Sequence, residues 1–197
     1  MELEGPTITL SDEAGRSLLC YVELSVDIDG EEYALVNPVD YPVEIFAWVP
    51  TEDGLTDNAE ADEDEGEEET LMPVEDAELS EIFATAQAVL SEQNLKLKRS
   101  ALSLTVEGDL PEVDEEDILV LEVEEAGLGK EQEEYQLLAT FFHEEQEYAI
   151  YTPIDPVFFV VRLQDNQKPQ LLSPEEFQAI QPKLQPYFEE HLFEELE

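Results

Sequence analysis

The chain has 197 residues, 52 of them Asp or Glu against eight Lys or Arg, for a formal net charge of −44 at pH 7. Such a field repels nucleic-acid phosphates and anionic membrane surfaces, which argues against direct binding to either, and it speeds encounter with basic proteins and cations. Apolar residues still make up 42%, with nine Phe and seven Tyr, enough to bury a core and to argue against wholesale disorder.

Cys20 is the only cysteine, which excludes an internal disulfide and points to a reducing compartment. The start Met1-Glu-Leu-Glu lacks the basic residues of a signal peptide, and no apolar stretch approaches the roughly 20 residues that cross a bilayer. A cytoplasmic chain is expected, stromal if in a plastid, with no membrane insertion.

Residues 7–10 alternate polar and β-branched positions, and a strand pattern resumes over 18–28. Asp29-Gly30 then predicts a two-residue hairpin of the type that needs positive φ at both centres, with 33–36 as the returning strand. Pro38 and Pro42 interrupt the pattern before an apolar strand over 43–49. Residues 1–50 therefore read as a four-stranded β-meander. Residues 52–69 hold 11 acids and no cation, too polar to offset their ordering entropy by burial, so 51–73 reads as an acidic flexible linker. Removing it would leave most of the −44 in place. Leu79, Ile82, Phe83, Ala86, Val89 and Leu90 have the spacing of one helix face, which places an amphipathic helix and a basic end (Lys96, Lys98, Arg99) in 74–99.

A second β-meander is expected in 100–165, with strands over 101–106, 118–123, 135–142, 148–151 and 157–163 and a hairpin turn at 143–146. In the C-terminal helical segment 166–197, Ser173-Pro-Glu-Glu176 has the form of a capping box. Pro182 and Pro186 predict a short helix ending near Gln181 and another from Pro186 onward.

A shift of 115 residues lays Glu32-Tyr-Ala-Leu-Val-Asn-Pro-Val-Asp40 on Glu147-Tyr-Ala-Ile-Tyr-Thr-Pro-Ile-Asp155, with five of nine positions identical. Both copies follow a hairpin turn and precede an apolar strand, and a helix lies downstream of each, which predicts a duplicated unit. The segments Ile8-Thr-Leu-Ser-Asp-Glu-Ala-Gly-Arg, Glu32-Tyr-Ala-Leu and Pro38-Val-Asp resemble small acidic uncharacterised proteins common in Firmicutes. The whole chain, with Tyr148-Ala-Ile-Tyr-Thr-Pro-Ile-Asp-Pro-Val-Phe-Phe in its second half, is similar to a longer domain-of-unknown-function family of cyanobacteria and chloroplasts. That resemblance implies a photosynthetic lineage and carries over no catalytic residue.

Asp62, Glu63, Asp64, Glu65, Glu67, Glu68 and Glu69 are the candidate partner-binding residues, a tract of carboxylates for a basic surface. They do not form an EF-hand: with Gly66 at loop position six, Ala61 and Met72 fall where carboxylates are needed. Asp40 and Asp155 read as corner residues beside prolines, and would make an acid–base pair only by converging. Cys20 reads as a small core residue and His143 as an exposed turn residue. Lys96, Lys98 and Arg99 read as complements to a helix C-terminus. There is no phosphate loop, nucleophile elbow or paired-cysteine motif, so no catalytic, metal or cofactor residue is assigned and no cofactor is expected.

Together these readings predict an α+β protein of two related antiparallel β-meander units, each accompanied by a helix, joined by an acidic loop. The favoured function is a non-enzymatic acidic adaptor or assembly factor binding a basic protein or protein complex. Its rivals are a nucleic-acid mimic that inhibits a DNA- or RNA-binding protein, and an enzyme of unrecognised type.

Overall fold

A computed structural model describes residues 6–50, 69–125, 129–163 and 169–194. In chain order these form strands β1 (Thr7–Ser11), β2 (Ser17–Ile28), β3 (Glu31–Pro38), β4 (Tyr41–Pro50) and β5 (Glu69–Pro73), helix α1 (Asp76–Ser91), and strands β6 (Lys96–Arg99) and β7 (Leu104–Glu107). A 3-10 turn at Glu115–Asp117 leads into β8 (Ile118–Glu125), β9 (Gly129–His143), β10 (Gln146–Pro153), β11 (Phe159–Leu163), β12 (Gln170–Leu171) and helix α2 (Pro174–Glu194). Two helices among mostly antiparallel strands make the fold α+β.

The chain divides into two compact units, one drawn from Met1–Tyr41, Arg99–Ser103 and Pro156–Glu197, the other from Pro42–Lys98 and Leu104–Asp155. In the first, five strands run in the order β1-β2-β3-β11-β12. Asp29 and Gly30 turn the β2–β3 hairpin with φ of 55° and 86°, the two positive values that the Asp-Gly pair predicts. A bulge between Val22 and Leu24 changes which face β2 presents. Before it, Leu18 and Cys20 join Leu10, Ala34, Val36, Ala101 and Val161 on one side of the sheet. After it, Val26 and Ile28 join Tyr33 and Val160 beneath Phe177, Ile180 and Leu184 of α2. Each fully buried aliphatic here contributes about 1.5–3 kcal/mol. The capping box forms as expected: Ser173 Oγ accepts from the Glu176 N–H at 3.2 Å and Glu176 Oε2 from the Ser173 N–H at 3.0 Å.

The second unit is a seven-stranded sheet, β6-β7-β4-β10-β9-β8, with β5 also paired to β4. Helix α1 lays Ile82, Ala86 and Leu90, all fully buried, on Val43, Ile45, Ala139, Phe141 and Ile150. Tyr148 stacks on Phe141 with centroids 5.2 Å apart and donates its hydroxyl to Glu78 at 2.6 Å, which ties the first turns of α1 to the sheet. The opposite face carries Phe46, Tyr135, Ala149 and Tyr151.

Four expectations are corrected. The first meander stops at three strands, because β4 is apolar on both faces (Ile45 on one, Phe46 on the other) and takes an interior position beside β10. The predicted strand over 101–106 begins instead with a bend at 101–103, in which Leu102 has a φ of 72°, and only from Leu104 does the chain become a strand, β7. The last five residues of the expected linker are β5, whose Leu71 pairs with Trp48 and packs on the aromatic face. Finally, α2 is one helix containing both Pro182 and Pro186. Both prolines are exposed, on the side away from buried Leu184, so the carbonyls they leave without an N–H face water.

Candidate functional site

The cations come first, because they show where the chain neutralises its own charge. Arg16 pairs with Asp12 at 2.6 Å, Lys98 with Glu107 at 2.6 Å, Arg162 with Glu176 at 3.1 Å and Glu31 at 3.6 Å, and Lys183 with Asp29. Arg162 also lies 5.7 Å from the centroid of Tyr33. These contacts fasten strands and α2 within one unit or the other. Lys96, Lys98 and Arg99 sit on β6, and the last turn of α1 holds no basic residue, so the expected helix-dipole role is replaced by cross-strand pairing of Lys98 with Glu107.

Past Glu107 the chain enters an acidic stretch missed as a site by the sequence reading. Gly108, at φ 136°, passes so close to the end of α1 that a Cβ there would meet the Asn94 carbonyl oxygen at 2.8 Å. Leu110 packs onto the core beneath α1, and the buried Gln136 side chain donates to the carbonyls of Pro111 at 3.0 Å and Glu112 at 3.3 Å. Asp114 accepts from the Glu116 N–H at 3.3 Å and caps the 3-10 turn. The effect is to hold Asp109, Glu112, Asp114, Glu115, Glu116 and Asp117, all exposed, on a stapled backbone.

The neighbouring aromatic face has carboxylates at its rim. Phe46 meets Tyr135 and Tyr151 edge-on, at centroid distances of 6.5 and 5.9 Å. Tyr135 donates its hydroxyl to Glu133 Oε2 at 2.7 Å. Burial, that hydrogen bond and the charges of Glu44 and Glu133 together push the Tyr135 phenol well above its ordinary value. Glu44 is exposed as a residue, yet surrounding protein partly desolvates its carboxyl, and together with repulsion from Glu133 this raises it above the ordinary range. Burial and then Asp117 raise Tyr151 similarly. Among the described residues no Lys or Arg pairs with Glu44 or Glu133. Two carboxylates thus flank one tyrosine with no counter-ion among the described side chains, an arrangement that a cationic side chain would stabilise.

Of the residues singled out from sequence, Asp62, Glu63, Asp64, Glu65, Glu67 and Glu68 lie outside the described residues, and Glu69 opens β5. Asp40 and Asp155 occupy bends after β3 and β10, one in each unit. Cys20 is fully buried, and burial pushes its thiol up to about 11. His143 ends β9 and is half-buried, where an exposed turn position was expected. Among the described residues no group of three or more His, Cys, Asp or Glu is placed to hold a metal, and no helix is long and apolar enough to cross a membrane. Glu44 had a sequence signal: it is the one acid inside the apolar run Val43-Glu-Ile-Phe46.

The pattern of DUF3727, a family of proteins of unknown function, matches residues 94–195, more than half of the chain. The chain belongs to that family. A second family of unknown function, DUF1292, matches residues 13–91, so the two matched stretches meet just past α1. No curated protein and no solved structure matches the chain. The DUF3727 stretch carries Glu133, Tyr135 and Tyr151, and the DUF1292 stretch carries Glu44 and Phe46, so the aromatic and acidic face draws on both.

Proposed function

We propose that this protein is a non-enzymatic acidic adaptor or assembly factor that docks on a basic surface of a protein complex. The observation that carries the reading is the Glu44–Glu133 pair flanking Tyr135, where desolvation and mutual repulsion favour an arriving Lys or Arg. The exposed acids from Asp109 to Asp117, and the carboxylates Asp62, Glu63, Asp64, Glu65, Glu67, Glu68 and Glu69, supply the longer-range attraction. Its place is the cytoplasm, or the stroma in a plastid, of a photosynthetic cell. Affinity capture from that host, repeated across a salt series with the native chain and a Glu44→Gln, Glu133→Gln variant, tests the reading. A partner retained at low salt, released by added salt and weakened by the variant supports it; a partner indifferent to both removes it.

We also propose that the two halves of the chain are copies of one unit. Support comes from register. In the first hairpin Tyr33 opposes Val26 and Val36 opposes Val22; in the second, Tyr148 opposes Phe141 and Tyr151 opposes Leu137, each 115 residues on. The bulge falls between equivalent residues, and Glu144 and Glu145 turn the second hairpin with φ of 51° and 82° where Asp29 and Gly30 turn the first. A crystal structure with the two bulges at unlike positions would overturn the relation.

A further inference from the structure

The path of the chain is reciprocal in a way that goes beyond the docking reading. β1, β2 and β3 are completed by β11, β12 and α2, while β8, β9 and β10 are completed by β4, β5 and α1. Each three-stranded piece therefore receives two strands and a helix delivered by the other half of the chain, and the second piece also carries β6 and β7 beyond β4. The received strands sit in the same register: β11 places Val160 opposite Leu35 and Val161 opposite Ala34, and β4 places Ile45 opposite Ile150 and Phe46 opposite Ala149, again 115 residues apart. The strands β5 and β12 then pair on the far side, Met72 with Ala47 and Gln170 with Arg162.

We infer that the chain is a fused strand-exchanged dimer, in which the edges of β3 and β10 are interaction surfaces whose partner is the strand–strand–helix arm of a second such unit. Remove β11, β12 and α2 and the edge of β3 loses its ladder, Ala34 and Val36 lose Val161, and Ile28 and Tyr33 lose Leu184. Remove β4, β5 and α1 and Ile150, Ala139 and Phe141 lose Ile45, Ile82, Ala86 and Leu90. Either loss exposes a flat strand edge beside an uncovered apolar face, the feature that drives one chain to add to another. Pairing with the arm of an equivalent unit restores both at once, and in this protein the second unit is already tethered. The association is thus built into the two halves and does not depend on the peptide link between them.

The test is to cut the intact, folded protein. A specific protease site inserted between Val113 and Asp114, in the exposed stretch before β8, divides the chain into a fragment with β1–β7 and α1 and a fragment with β8–β12 and α2. After cleavage in native buffer the fragments are expected to elute as one particle of unchanged size and to part only in denaturant. Fragments that separate in native buffer would overturn the inference. Should the insertion itself prevent folding, a Cys20→Ala, Leu35→Cys, Val160→Cys chain without it, mildly oxidised while folded and then cleaved after unfolding at its natural trypsin sites, gives the second reading. A recovered disulfide-linked peptide pair containing Cys at 35 and 160 from a single monomeric chain supports the exchange, and its absence overturns it.

Discussion

Asp29-Gly30 and Glu144-Glu145 perform the same task with unequal chemistry. Both pairs hold positive φ at two successive residues, which costs Gly little, but costs a residue with a Cβ about 1–2 kcal/mol. Glu145→Gly is therefore expected to stabilise the protein by about 1 kcal/mol in chemical denaturation, and no gain would mean that this turn is not of the two-residue type in solution. Glu44 makes a second residue-scale prediction. Its carboxyl titrates above the ordinary 4.5 when folded, so the folded chain holds that proton more tightly than the unfolded one. Its ionisation consequently opposes folding: the penalty is absent well below pH 4.5, grows as pH rises past 4.5, and is complete above the raised value. Glu44→Gln should unfold later than the native chain at neutral pH and alike at acid pH, the gain staying below about 1 kcal/mol because water reaches the carboxylate. A gain of the same size at both pH values would sink this account.

At the scale of the element, hairpins and helix starts were legible because they are local. Asp29-Gly30 needs no distant partner to turn, and Ser173 with Glu176 closes its capping box across a single helical turn. The end of α2 was misread for the opposite reason. A proline forbids one intrahelical hydrogen bond, but whether that breaks the helix depends on where the freed carbonyl points, and in α2 the face holding Pro182 and Pro186 is the solvent face. Leu184 beneath Ile28 and Tyr33 holds the helix through both sites. Pro182→Ala should then raise the melting temperature, by as much as about 3 kcal/mol of stability, since it restores a donor without removing any buried surface. A fall would show that Pro182 itself packs.

On the scale of the whole molecule, the charge dominates. A net −44 on 197 residues repels itself in the compact state, and ion pairs such as those of Arg16, Lys98, Arg162 and Lys183 relieve only local parts of that field. Raising ionic strength from about 0.01 M to about 1 M shortens the screening length from roughly 30 Å to 3 Å. The melting temperature should rise over that range while capture of a basic partner weakens, and a melting temperature that falls would show that attraction outweighs repulsion in the folded chain. Neither trend requires knowing which carboxylates lead.

Composition alone determined the sign and size of that field, and period-2 alternation, turn dipeptides and helical spacing were enough to locate most strands, α1, the start of α2 and the Glu32–Asp40 echo at Glu147–Asp155. These are properties that a residue shares with neighbours a few positions away. Tertiary structure decided the rest: that β4 lies beside β10 and β11 beside β3, and that Glu44 is brought to Glu133 across the sheet. The alternation along a strand records which of its faces is buried, but its edges are uniform rows of backbone N–H and C=O groups, which accept any strand of suitable register. Only the packing of both faces at once, Ile45 under α1 and Phe46 among the tyrosines, selects the neighbour.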